Sequence, residues 1–117
     1  MLPLILASSS PYRRQLLTQL RIPFDWLSPD INECAIAHEP PEKQAVRLSI
    51  DKALALQHSH RHHIIIGSDQ TASIAGHQLQ KPGSYEGAHK QLTLCSGQSI
   101  SFYTGLAVLN TKTDTLQ

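Results

Sequence analysis

Four apolar residues, Leu4–Ala7, open the chain as a short strand and stop at a run of three serines, Ser8-Ser9-Ser10. Beyond them Leu16, Leu17 and Leu20 recur at a spacing that lines one side of a helix. Ser10 suits the N-cap of that helix and Pro11 its first position. From Ile22 to Pro29 prolines interrupt an extended segment, and Asp30–Glu33 reads as an acidic loop. After Glu39-Pro40-Pro41-Glu42 the pattern predicts a second helix from about Lys43 to Gln57. Ala45, Val46, Leu48, Ala53, Leu54 and Leu56 supply its broad apolar face, and acids at its start agree with the helix dipole.

Three consecutive isoleucines, Ile64-Ile65-Ile66, predict a strand buried on both faces, as inside a covered and largely parallel sheet. That run ends in Gly67-Ser68-Asp69-Gln70. An acid at the end of such a strand stands where open α/β sheets bind their ligands; a turn-capping Asp69 is the plainer alternative. Thr71–Ile74 and His77–Leu79 flank Ala75-Gly76 as a hairpin that delivers Lys81-Pro82-Gly83 to a loop close to Asp69. Ser84 caps a third helix, with Ala88, Leu92 and Cys95 on one face and Gly97 as its stop. Ser99–Leu109 is the last long strand, Thr104-Gly105 marking a bulge or a close approach. Asn110–Asp114 is turn-like, and Thr115–Gln117 begins a returning strand. Native folds avoid an edge strand without a return partner, so residues 1–117 are expected to form the N-terminal portion of a single α/β domain.

Length bounds the chain to one domain or part of one, and a hydrophobic share of 40% suffices for a core. Charged residues make up only 16% and the net charge is +1, which argues against nucleic-acid binding through a broad basic surface. Any anion site must be local. Cys34 and Cys95 match neither a disulfide framework nor a Cys-x-x-Cys metal site, and read as reduced thiols of a cytoplasmic protein. No apolar stretch approaches the roughly 18 residues of a membrane span. The start, Met1 to Ala7, lacks the basic region of a secretion signal and is broken by Pro3.

Strand, hydroxyl-rich turn and helix start together make an anion site of Ser8-Ser9-Ser10, because free backbone N–H groups and the dipole favour negative charge there. Arg13 and Arg14 lie in the first turn, where the same dipole disfavours cations. They serve either a docked anion or solvent. Glu33 is open to reading as a metal ligand or a surface acid, and Lys52 as a snorkelling side chain or one aimed into a site. His58, His60, His62 and His63 are either a metal-carrying tract or a surface turn at a helix end. Taken with Asp69 and Lys81, the set offers four cations and two acids, which is what phosphoryl chemistry on a polyphosphate needs. Paired acids can hold a divalent ion, which lowers the pKa of bound water from about 15.7 towards about 7.

At this point the ordered set Ala7-Ser8-Ser9-Ser10-Pro11-Tyr12-Arg13-Arg14, Glu33, Lys52-Ala53, Gly67-Ser68-Asp69-Gln70, Lys81-Pro82 and Ser101-Phe102-Tyr103-Thr104-Gly105 resembles the Maf family. These are nucleoside triphosphate pyrophosphatases also described as septum-formation inhibitors. The resemblance implies an α/β, ITPase-like mixed sheet with flanking helices and a cleft between two lobes. It implies a cytoplasmic enzyme that needs a divalent cation, Mg or Mn, and leaves a homodimer open. By the same resemblance Asp69 is the proton acceptor, with Lys52 and Lys81 catalytic beside it. Ser8, Arg13 and Arg14 bind phosphate, while Glu33 and Asp69 face the metal. Gly67-Ser68-Asp69-Gln70, in place of Ala-Asp-Thr, is similar to the branch acting on 7-methyl-GTP, with Tyr12 and Gln70 as specificity residues. An aromatic face can stack on the cationic methylated purine, and the Gln70 amide can bond a base edge. Asn32 and Asp51 depart from an Asp and a Glu common in the family. The expected reaction is hydrolysis of 7-methyl-GTP to 7-methyl-GMP and pyrophosphate; the alternatives are a non-catalytic nucleotide-binding or cell-division-regulating protein, or an inactive truncated fragment of the enzyme.

Overall fold

A computed structural model describes residues 2–33, 36–74, 77–79 and 100–117. In chain order the elements are β1 (Leu4–Ala7), α1 (Pro11–Thr18), β2 (Asp25–Leu27), α2 (Pro41–Leu54), β3 (Ile64–Ile74), β4 (His77–Leu79), β5 (Ile100–Asn110) and β6 (Thr115–Leu116). Among the described residues the strands form one six-stranded mixed sheet of order β2-β1-β3-β5-β6, with β4 also paired to β3. β1 runs parallel to β2 and β3. The pairings of β3 with β4 and β5, and of β5 with β6, are antiparallel. The architecture is α/β, as expected. The predicted third helix, the Ala75-Gly76 turn, Lys81, Cys34 and Cys95 lie outside the described residues.

α2 packs on one sheet face, and the core lies between them: Ile5, Ala7, Ala53, Leu56, Ile65, Ala107 and Leu109, with Ile50 against it. Two glycines allow that approach. A Cβ on Gly67 would lie 2.0 Å from the Ser49 carbonyl oxygen, and one on Gly105 would lie 2.2 Å from that of Ala45. The β3–β5 register runs unbroken from Ile64↔Asn110 to Ile74↔Ile100, so Thr104-Gly105 is a close approach and not a bulge. α1 sits over the opposite face, where Leu16, Leu17 and Leu20 line a groove with Leu6, Ile66 and Leu106.

Several expectations need correction. Ile65 is fully buried, but Ile64 and Ile66 are only partly so, because α2 covers one face of β3 far more completely than α1 covers the other. Thr71–Ile74 continues the same strand, so Asp69 stands in the middle of β3, opposite Gly105. What ends near it is the parallel ladder. β1 stops at Ala7, paired with Gly67, and leaves that side of β3 open two residues before Asp69. α2 begins two residues earlier than expected, at Pro41, since proline is well suited to a first helical turn. Its apolar face is narrower than the pattern implied, with Val46 and Leu54 exposed. Leu20 lies in the turn after α1.

Candidate functional site

Ser10 caps α1 as predicted: its Oγ accepts from the Arg13 backbone N–H at 3.3 Å. Ser8, itself buried, accepts from the Ser10 N–H at 3.0 Å. These bonds hold the serine turn at the C-terminal end of β1, at the helix N-terminus. There Ser8, Ser9, Ser10, Pro11 and Arg13 line a polar pocket of about 290 Å³ with Ser28, Pro29, Glu33 and Lys52. Ser28 and Pro29 directly follow β2, which the parallel pairing with β1 carries to the same end of the sheet.

Lys52 reaches this pocket from the last turn of α2. The seating of α2 on Gly67 and Gly105 brings its Nζ to 3.0 Å from Asp69 Oδ1 and 3.1 Å from Glu33 Oε1. The Ser68 carbonyl oxygen lies 3.4 Å from the same nitrogen. Lys52 and Asp69 are 6% and 5% exposed, so the ammonium points inward and does not snorkel. Burying both charges is tolerable because each satisfies the other. Glu33 is different, its side chain being 48% exposed. Asp69 is not among the residues that line the pocket, and its bond to Lys52 ties it to that lining.

The two adjacent arginines part company. Arg13 lines the pocket, whereas Arg14 stacks on Trp26, its guanidinium carbon 3.8 Å from the ring centroid. Successive helical residues point about 100° apart, so a doubled arginine cannot present both forks in one direction. Tyr12 is 68% exposed. Gln70 is exposed too, on the sheet face opposite Asp69, and its Nε2 donates to Thr104 Oγ1 at 3.3 Å. Trp26, Ser28 and Pro29 were read only as part of an extended segment, although the chain's lone tryptophan was a usable signal.

The histidine tract forms a turn. His60 Nδ1 lies 2.8 Å from Ser59 Oγ and His63 Nδ1 2.7 Å from the Arg61 carbonyl. Thr111, buried between them, donates to the His60 carbonyl. Among the described residues no three His, Cys, Asp or Glu side chains converge as a metal site, which leaves the metal-carrier reading without support. No helix among them is long and apolar enough to cross a membrane.

Comparison with known proteins joins this geometry to a family. The chain is 54% identical over 117 residues to the "7-methyl-GTP pyrophosphatase" of Pseudomonas putida, covering all of this chain and 61% of that protein. It is 52% identical over 110 residues to the protein of the same name in Pseudomonas savastanoi pv. phaseolicola, across 94% of this chain and 57% of the relative. For Cupriavidus pinatubonensis the figures are 48% identity over 110 residues, 94% and 55%. The chain therefore spans less than two thirds of the length of these curated relatives. The family model described as "Maf-like protein" matches residues 3–117, and the chain belongs to the Maf family.

Proposed function

We propose that the protein hydrolyses a nucleoside triphosphate to the monophosphate and pyrophosphate, with 7-methyl-GTP as substrate. The observation that carries this reading is the buried Lys52 ammonium, bonded to Asp69 and Glu33 at the edge of a hydroxyl-lined helix-start pocket that Arg13 enters. Bound there, a triphosphate accepts from the free N–H groups of α1 and from the Ser8 hydroxyl. Arg13, Arg14 and Lys52 neutralise charge that builds up as the anhydride breaks. Lys81 belongs to the same set by its place in the sequence. Asp69 takes the proton of the attacking water, and the Lys52 bond fixes the direction in which its carboxylate faces. Tyr12 and Gln70 meet the base. The names of the relatives point the same way.

A divalent cation fits the donors present. Magnesium binds proteins through one or two carboxylates while keeping waters and substrate phosphates as its other ligands. Asp69 and Glu33, held on one ammonium, are two such carboxylates. When bound, the ion supplies Lewis-acid charge and a more acidic water.

The test is incubation of 7-methyl-GTP with the protein and Mg²⁺, following both phosphate products. Equal amounts of pyrophosphate and 7-methyl-GMP, formed faster than from GTP, dTTP or UTP, are expected. Release of orthophosphate alone, or tight nucleotide binding without any turnover, would overturn the reading.

A further inference from the structure

Arg14 forms no ion pair among the described residues. Its Nε is buried without a hydrogen-bond partner there. What holds the guanidinium is the face of Trp26. The register explains why that ring is in place. Trp26 is the middle residue of β2 and pairs with Leu6, which lines the α1 side of the sheet, so the indole is presented beneath the helix that carries Arg14. Two residues further on, Ser28 and Pro29 form a wall of the polar pocket.

We propose that Trp26 is a positioning residue for the polyphosphate site: its ring fixes the plane of the Arg14 guanidinium while leaving the terminal Nη donors open to a phosphate. The inference rests on reading the pocket as a triphosphate site. A carboxylate partner would also orient the fork, but it would occupy two donors and cancel the charge. The π-face attracts the cation from above and takes none of the five N–H groups. Arg13 then approaches the anion from α1 within the pocket, and Arg14 from the β2 side. A lysine at position 14 could not reproduce this, because it has no plane to stack.

Calorimetric titration of the whole chain with inorganic tripolyphosphate tests the role, comparing the parent with Trp26→Leu, Trp26→Phe, Arg14→Gln and the Trp26→Leu/Arg14→Gln pair. Trp26 is 44% exposed on an edge strand, and Leu keeps an apolar side chain there. Trp26→Leu is expected to weaken binding about fivefold, the size of a partly exposed cation–π contact. Trp26→Phe restores most of the loss. In the Arg14→Gln background the Leu substitution changes nothing further, an outcome that general damage to the strand would not produce. Trp26 is the only tryptophan, so its emission also shifts in Arg14→Gln. Unchanged affinity in Trp26→Leu, or a full fivefold loss with Arg14 already removed, overturns the positioning role and leaves the triphosphate site standing. A parent that binds no tripolyphosphate overturns both.

Discussion

Lys52 serves two carboxylates that are unequal in what they do for the fold. Asp69 is buried with it, whereas half of the Glu33 side chain meets solvent. Removing the ammonium strands a buried charge. Lys52→Met should therefore lower unfolding stability by about 3–5 kcal/mol, and Glu33→Gln by no more than about 1 kcal/mol, both read from urea denaturation. Equal losses would mean that the buried pair is not the one that matters. The sequence left Lys52 undecided for a physical reason: a long apolar stem lies on a helix face the same way whether its head turns inward or out. It also grouped Arg13 with Arg14, which only the helical twist and the facing indole separate.

Among the elements, α2 decides where the site forms, and two missing side chains decide where α2 lies. Gly67→Ala and Gly105→Ala would each drive a methyl group into helix backbone. Each should cost about 1–3 kcal/mol or more, and each should reduce phosphate binding by moving Lys52. Wild-type stability in either variant would contradict the close seating. Just before α2, Glu39 accepts two hydrogen bonds from Arg47, at 2.8 and 2.9 Å. Those bonds, aided by the Arg47 charge, lower the Glu39 pKa from its ordinary value. A depressed carboxylate adds stability above its unfolded-state pKa and loses it as pH falls through the folded one. Glu39→Gln should accordingly flatten the acid side of the stability profile; an unchanged slope in pH-dependent thermal unfolding would contradict this. Arg61, in the turn before β3, depresses Asp114 of the β5–β6 turn in the same manner. β1, the cap of α1 and the β3–β4 pairing were legible, because each depends on local residue chemistry. Gly105 stood between a bulge and a close approach until the packing of α2 decided it. The length of β3 was not legible. Ser68-Asp69-Gln70-Thr71 shows no apolar alternation, and it extends as strand because β5 supplies a partner along its full length.

Across the whole molecule, the parallel part of the sheet ends where the polar pocket begins, and the antiparallel part carries Asp69 past that point. This division was invisible to periodicity, which reports burial and not the direction of neighbouring strands. The motif set was more informative than any one pattern, since it tied distant segments to a single site. Ser8, Arg13, Glu33 and Lys52 do gather where the parallel ladder ends, and Asp69, in the middle of β3, joins them through its bond to Lys52. The central claim is that Asp69, fixed by Lys52, acts on the attacking water. Asp69→Asn keeps the shape of the side chain and removes its charge, so the deciding measurement is turnover of that variant with 7-methyl-GTP and Mg²⁺. At saturating nucleotide and Mg²⁺, and with the variant's folding checked by urea denaturation, turnover should fall at least about a hundredfold. Turnover near the parent's would contradict the account.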